Sequence, residues 1–279
     1  MTTATEHLPA PQGGIRQALS DAMVITGRNL KRIPRIPELA IFAIIQSIMF
    51  VLLFAFVFGG AIPLQGYDGP NAYREYLLPG IFVQTIVFAA ATVAIGMCDD
   101  INKGIIDRFR SLPMSRSAVL IGRTFSEVVY NAGILVVLMV AGLVVGWSVH
   151  TDLVSFLAGV ALLLAFAYAM AWLGVWLGVM VPTVETAQQI SFTVLFPITF
   201  VSGVFVPIAT MPSWLQPFAY WNPVTTLASS LRNLWGNPNP QVADNFPSQN
   251  PILVTIVWIV VFIGVFGPLG VRRYRNMSR

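Results

Sequence analysis

From Leu39 to Ala61 the chain runs the thickness of a membrane without a single charged residue. A helix rises about 1.5 Å per residue, so roughly 20 apolar residues match a hydrocarbon core about 30 Å thick. Comparable runs recur at about 77–98, 125–147, 153–181, 187–206 and 251–271. Of the 279 residues only 10% are charged and 56% are hydrophobic, whereas soluble domains carry about 25% charged residues. Solid apolar blocks also differ from the alternating segments of about ten residues that build a β-barrel. The sequence therefore predicts an all-α polytopic membrane protein with six transmembrane helices.

The N-terminal MTTATEHLPAPQGG is polar, carries Glu6 and has no apolar core before Leu39, which is unlike a signal peptide. Ile15, Leu19, Ala22, Met23, Thr26 and Leu30 then follow helical spacing, with Arg16 and Arg28 mostly opposite. Lys31, Arg32 and Arg35 come next, before Pro34 and Pro37 turn the chain. Residues 14–33 are expected to form an amphipathic helix on the membrane face; the plainer alternative is a helix packed on the protein itself. Residues 1–36 are thus a tail plus interfacial helix, and 37–279 the transmembrane domain. Between spans five and six, a proline- and aromatic-rich stretch stays uncharged until Arg232. It is too interrupted for a plain span and suits short re-entrant or interfacial helices, with Trp214, Tyr220, Trp221 and Trp235 at headgroup level.

Fourteen of the sixteen Lys/Arg residues fall in the N-terminal segment, in 99–123 or in the C-terminal tail, leaving Arg74 and Arg232. An even number of spans puts all fourteen on one side, so both termini are expected in the cytosol of a bacterial-type cell membrane. The passage Asp99–Arg123 is the one long charged segment between apolar runs. Ile101, Ile105, Phe109 and Leu112 share a helical face there, and Asp100, Lys103, Asp107, Arg108 and Arg110 occupy the rest. Asp99 or Asp100 is expected to cap this helix and Pro113 to end it. Such an element, tied to spans two and three, would transmit a push from a soluble partner. Equally, the charges obey the positive-inside rule without any lever.

Two motifs bear on that choice. The first is Asp100, Gly104, Asp107-Arg108-Phe109-Arg110-Ser111-Leu112-Pro113 and Arg116. The second is Ser202-Gly203, Pro207, Met211-Pro212, Trp214-Leu215-Gln216, Asn222-Pro223 and Leu231-Arg232. Together they resemble the span 2–3 loop and the post-span-5 segment of ABC-2 type transporter permeases, most closely the daunorubicin-resistance branch of drug and lipid exporters. The resemblance implies a permease that pairs with a second permease, identical or paralogous, and with two copies of a separate ATP-binding subunit. It implies ATPase coupling through Asp100, Lys103, Gly104, Asp107, Arg108, Phe109, Arg110, Pro113 and Arg116. The interfacial helix, with Arg16, Arg28, Lys31 and Arg32, would touch the same partner. Gly203, Pro207, Pro212, Trp214, Asn222, Pro223 and Arg232 would shape the re-entrant segment.

The chain's two lysines, Lys31 and Lys103, lie outside any G-x-x-x-x-G-K-[ST] loop, so ATP and Mg are expected on the partner and no cofactor on this chain. One cysteine, Cys98, and two distant histidines, His7 and His150, offer no metal-ligand spacing, and the charge pattern fits membrane lipid rather than nucleic acid. Gly142/Gly146 and Gly174/Gly178 are spaced for close packing, within the chain or between subunits. Glu127 has Arg123 at i−4 for a local ion pair, or serves a transport pathway. Arg232 would meet lipid phosphate or anchor the re-entrant segment. Two other functions compete with ATP-driven export of a hydrophobic or amphipathic compound. An ion-coupled transporter or channel would want ionisable groups near mid-membrane. A prenyltransferase-type enzyme would use Asp99, Asp100 and Asp107 to hold magnesium diphosphate.

Overall fold

The computed structural model describes residues 26–27, 37–58, 64, 66–67, 71–104, 116–240 and 243–276, and every regular element among them is helical. Helix α1 covers Pro37–Leu52 and continues as a π-helical end over Leu53–Phe58. Then come α2 (Ala72–Asn102), α3 (Arg116–Val145), α4 (Leu153–Met180) and α5 (Val184–Phe200). The segment that follows holds a 3-10 turn (Ile208–Thr210) and the short helices α6 (Gln216–Trp221), α7 (Pro223–Trp235) and α8 (Phe246–Gln249). Helix α9 (Pro251–Asn276) ends the described chain. Among the described residues, four segments are long and apolar enough to cross a membrane: Ala72–Asn102, Leu120–Val145, Leu153–Met180 and Pro251–Tyr274.

Three helices run past their apolar windows. The second helix begins at Ala72 rather than near 77, so Arg74 and Glu75 form its first turn and are not loop residues. The third begins at Arg116 rather than near 125, and the last runs on to Asn276. Backbone hydrogen bonding continues past the point where hydrocarbon solubility stops, because charged side chains at a helix end face water without disturbing the ladder. The fifth helix is the reverse case. It starts at Val184, where the Thr183 hydroxyl accepts from the Thr186 N–H at 3.2 Å, and stops at Phe200 instead of 206. The turns through 201–206 fold the chain back there.

Helices α2 and α4 form the central pair. Buried residues make up 67% of the most apolar window of α2, against 17% for α9, so α2 is the helix the others enclose. A Cβ on Gly174 would strike the Ala90 carbonyl oxygen and lie 2.7 Å from Val93 Cβ. One on Gly178 would lie 2.7 Å from Met97 Cβ. This glycine pair is therefore an intrachain seam. Gly142 likewise faces Leu78, and Gly146, at φ +103°, ends α3 in a conformation that favours glycine. Helix α9 packs on the far side of α4, and α1 and α5 flank α2.

At one end of the bundle, Tyr274 joins Met97, Leu120 and Val179 in a small buried cluster. At the other, Trp147 and Trp235 meet edge-on at 5.5 Å. There Trp147 Nε1 donates to Asn237 Oδ1 at 3.0 Å, and Glu75 Oε1 accepts from Ser148 Oγ at 2.9 Å and meets His150 Nε2 at 3.0 Å. Asp152 caps α4, accepting from Val154 N and Ser155 N at 3.1 and 3.3 Å. The Ser155 hydroxyl, 2.7 Å away, and these N–H groups hold its carboxyl below the usual range.

Candidate functional site

The charged end carries the first group of candidate residues. The expected coupling helix does not begin at Asp99 or Asp100, because both belong to the last turn of α2. Lys103 is the C-cap, and Gly104 follows at φ +66°, the left-handed conformation that terminates helices. Asp99 therefore pairs with Lys103 at 2.8 Å along the helix surface rather than capping a new one. Asp100 reaches across to Arg123 of α3 in an ion pair. Gly96 makes the crossing possible, since a Cβ there would collide with the Arg123 guanidinium. Thr26, from the N-terminal segment, is buried on the same helix and donates to the Gly122 carbonyl at 3.0 Å. Arg116 opens α3. Asp107, Arg108, Phe109, Arg110 and Pro113, and Arg16, Arg28, Lys31 and Arg32, lie outside the described residues.

The second group comes together around one side chain. Arg232 on α7 is fully buried, and its guanidinium donates to three backbone carbonyls: Tyr76 through Nε at 2.9 Å, Gly203 through Nη1 at 2.9 Å and Val204 through Nη2 at 3.2 Å. It also lies 3.7 Å over the Tyr76 ring. Of the two sequence alternatives, Arg232 is thus the anchor and does not reach lipid. The Tyr76 hydroxyl donates to Gly203 O at 2.7 Å and Tyr73 to Phe205 O at 3.0 Å, so α2 grips the turn from its other side. Pro79, three residues on, has no N–H to offer the Glu75 carbonyl one turn before it.

Asn222 secures the opposite strand of the same turn. Its Nδ2 donates to Ile198 O and Val201 O, each at 2.7 Å, while its Oδ1 caps α7 by accepting from Val224 N at 2.8 Å. Pro223 fills the first turn of α7, where no N–H is needed. Gly203 N–H donates to Thr225 Oγ1 at 3.0 Å, and Gly80 leaves room for Val204, whose oxygen would be 2.9 Å from any Cβ there. Pro207 precedes the 3-10 turn, and the Pro212 carbonyl accepts from Leu215 N at 2.9 Å. Trp214 is 69% exposed and takes no part in the clamp. Tyr73 and Tyr76 sit in the polar stretch before the second apolar run, where nothing in the sequence marks them as partners of a turn far along the chain.

A cavity of about 190 Å³ lies among α1, α2 and α3, with Phe192 of α5 on its border. Gln84, Ser47, Glu127 and Asn131 face it, together with Phe50 and Phe88. Arg123 does not form the expected ion pair with Glu127, having turned to Asp100. Asn131 Nδ2 instead donates to Glu127 O at 2.9 Å and Oε1 at 3.4 Å. Among the described residues no three His, Cys, Asp or Glu side chains cluster as a metal site would require.

An all-helical bundle with four membrane-length apolar helices among the described residues, charges at its ends and a clamped turn after α5 fits a multi-pass membrane protein. The family follows from comparison: the ABC-2 type transporter model matches residues 21–235, and the chain belongs to that family. It is 29% identical over 261 residues to the daunorubicin resistance ABC transporter permease protein DrrB1 of Streptomyces coeruleorubidus, covering 94% of this chain and 88% of that protein. It is 24% identical over 279 residues to the probable doxorubicin resistance ABC transporter permease protein DrrC of Mycobacterium tuberculosis, covering 97% and 95%. To the putative transport permease ycf38 of Cyanophora paradoxa it is 24% identical over 262 residues, covering 94% and 90%.

Proposed function

We propose that the chain is the membrane-spanning permease subunit of an ABC exporter that moves a hydrophobic or amphipathic compound, drug or lipid, out of the cytosol or inner leaflet. The observation that carries this is the family match over residues 21–235. The resistance proteins among its relatives point the same way for cargo. ATP is hydrolysed on a separate subunit, two copies of which serve a pair of permeases. Six helices cross the membrane, α1 and α5 included. In support, α1 runs antiparallel to α2: Phe56 near its end lies 4.7 Å from the Arg74 guanidinium at the start of α2, and Ser47 meets Thr85 halfway. Its 22 helical residues reach about 33 Å, enough to cross.

In this reading the partner pushes on the segment after Gly104. The force enters α2 and α3, which are already bridged by Asp100 and Arg123. The test is co-expression with a Walker-type ATP-binding subunit. Co-purification and ATP-dependent uptake of rhodamine 6G into inside-out vesicles are expected, and a Walker-B Glu→Gln partner abolishes uptake. Reversing the charges of Asp107 and Arg108 should abolish association or uptake, and normal values for both would reject the coupling role. Flux by the chain alone in liposomes without ATP would assign it to secondary transport instead.

A further inference from the structure

The cavity beside Glu127 holds polar groups that packing does not require. Gln84 is only 6% exposed on the most enclosed helix, faces the cavity, and its amide has no hydrogen-bond partner among the described residues. Its amide opens onto the cavity rather than into packed protein. Glu127 lies on the same wall, oriented by Asn131, with no cation within 4 Å of its carboxylate among the described residues. The nearest candidate, Arg123 one turn earlier, is held by Asp100. The walls between these groups are aromatic: Phe50, Phe88 and Phe192. Carboxylate, neutral donor-acceptor and ring faces together complement an organic cation on an apolar body.

The rings do not stop at the cavity. Phe88 lies 5.8 Å from Phe192 and 5.9 Å from Phe196, which stacks on Phe200 at 4.6 Å. Phe200 lies 5.4 Å from Phe205, and Phe205 stacks on Phe54 at 4.4 Å. Phe54, Phe200 and Phe205 line a second cavity, of about 350 Å³, under the re-entrant turn. A continuous aromatic track thus joins the Glu127 cavity to the turn clamped by Arg232. The first cavity is smaller than the 300 Å³ or more that encloses a drug-sized molecule, so it fits a head group. Gln46 and Thr92 on its border are exposed, and the apolar body leaves between α1 and α5.

We infer that this cavity is a cargo site for amphiphiles bearing a protonated amine. Glu127 is the counter-ion, Gln84 a hydrogen-bonding partner of the head group, and the phenylalanine track the path of the apolar body. The inference deepens the exporter reading and rests on it for direction of movement only. Binding itself needs neither the ATPase nor ATP.

The experiment uses the purified full chain and three dansyl-tagged dodecyl probes ending in an amine, an alcohol or a carboxylate. Fluorescence titration should give the amine an affinity about tenfold or more above the other two, as expected for a hydrogen bond to a charged group. Glu127→Gln should remove that preference, Glu127→Asp should keep most of it, and Gln84→Leu should weaken the amine and alcohol probes. Equal affinities in the wild type, or a preference that survives Glu127→Gln, overturn the assignment. If Glu127→Gln does not fold, protection of Glu127 from a hydrophobic carbodiimide by the amine probe decides, and absence of protection overturns it. Displacement of the amine probe by hexadecylamine is expected. Displacement by phosphatidylethanolamine as well assigns the head group to a lipid source, and displacement by neither overturns the site. Equal affinities of the wild type for the three probes, with ATP-driven uptake intact, would sink this inference and leave the exporter standing; a clear amine preference with no ATP-driven uptake would do the reverse.

Discussion

Arg232 shows why a charged residue far from any acid in the sequence resists interpretation. Its partners are the carbonyls of Tyr76, Gly203 and Val204, which sequence does not display as partners at all. A planar fork with five N–H donors serves three divergent acceptors, whereas lysine offers one compact head. Arg232→Met should therefore lower stability by about 3 kcal/mol or more, because three buried carbonyls each lose a donor. Arg232→Lys should rescue little of it. Thermal unfolding of the detergent-purified protein reads both, and a lysine variant melting with the wild type would show that charge alone holds the turn. Glu127 teaches the companion lesson. Its i−4 spacing to Arg123 was visible in the sequence, but the small side of Gly96 on another helix sends Arg123 to Asp100.

Among the elements, α2 and α4 approach closely enough to make glycine obligatory at two positions. The spacing of Gly174 and Gly178 was legible, but which surface they meet was not, because intrachain and intersubunit seams use the same small residues. Here the opposing atoms are the Ala90 carbonyl oxygen, Val93 Cβ and Met97 Cβ, all in α2. Two of those are β-carbons fixed to the backbone, so relief requires the helices themselves to part. Gly174→Ala and Gly178→Ala should each cost about 1–3 kcal/mol by overpacking. Gly264→Ala on α9, where nothing lies within 4 Å, should be neutral or gain a fraction of the roughly 1 kcal/mol helix preference for alanine. Unfolding midpoints compare the three, and equal behaviour would deny the close seam. Helix positions were legible from apolar runs for the same reason that helix ends were not: hydrophobicity marks the hydrocarbon, while hydrogen bonding carries α2, α3 and α9 beyond it.

At the scale of the whole molecule, the question is whether α1 and α5 cross along with the four long helices. The two possibilities place the chain termini differently. If both cross, the N-terminus, the end of α2 near Lys103 and the C-terminus share one side, and the α3–α4 turn at His150 and the segment near Asp244 share the other. If neither crosses, both termini move to the side of His150. The positive charges favour the first arrangement, since it gathers the N-terminal, 99–123 and C-terminal Lys/Arg residues at one face. So does the structure of α1, which sets Ser47 against Thr85 at mid-height and reaches Arg74 at its end. Single cysteines at Thr2, Lys103, His150, Asp244 and Ser278, in a Cys98→Ala background, can be probed in intact cells with a membrane-impermeant maleimide. His150→Cys and Asp244→Cys should label, while the other three should label only after the membrane is opened. Labelling of Thr2→Cys and Ser278→Cys in intact cells would reduce the protein to four crossings. It would also leave the Glu127 cavity bordered by helices α1 and α5 that only line the membrane, which could not guide cargo from one face to the other.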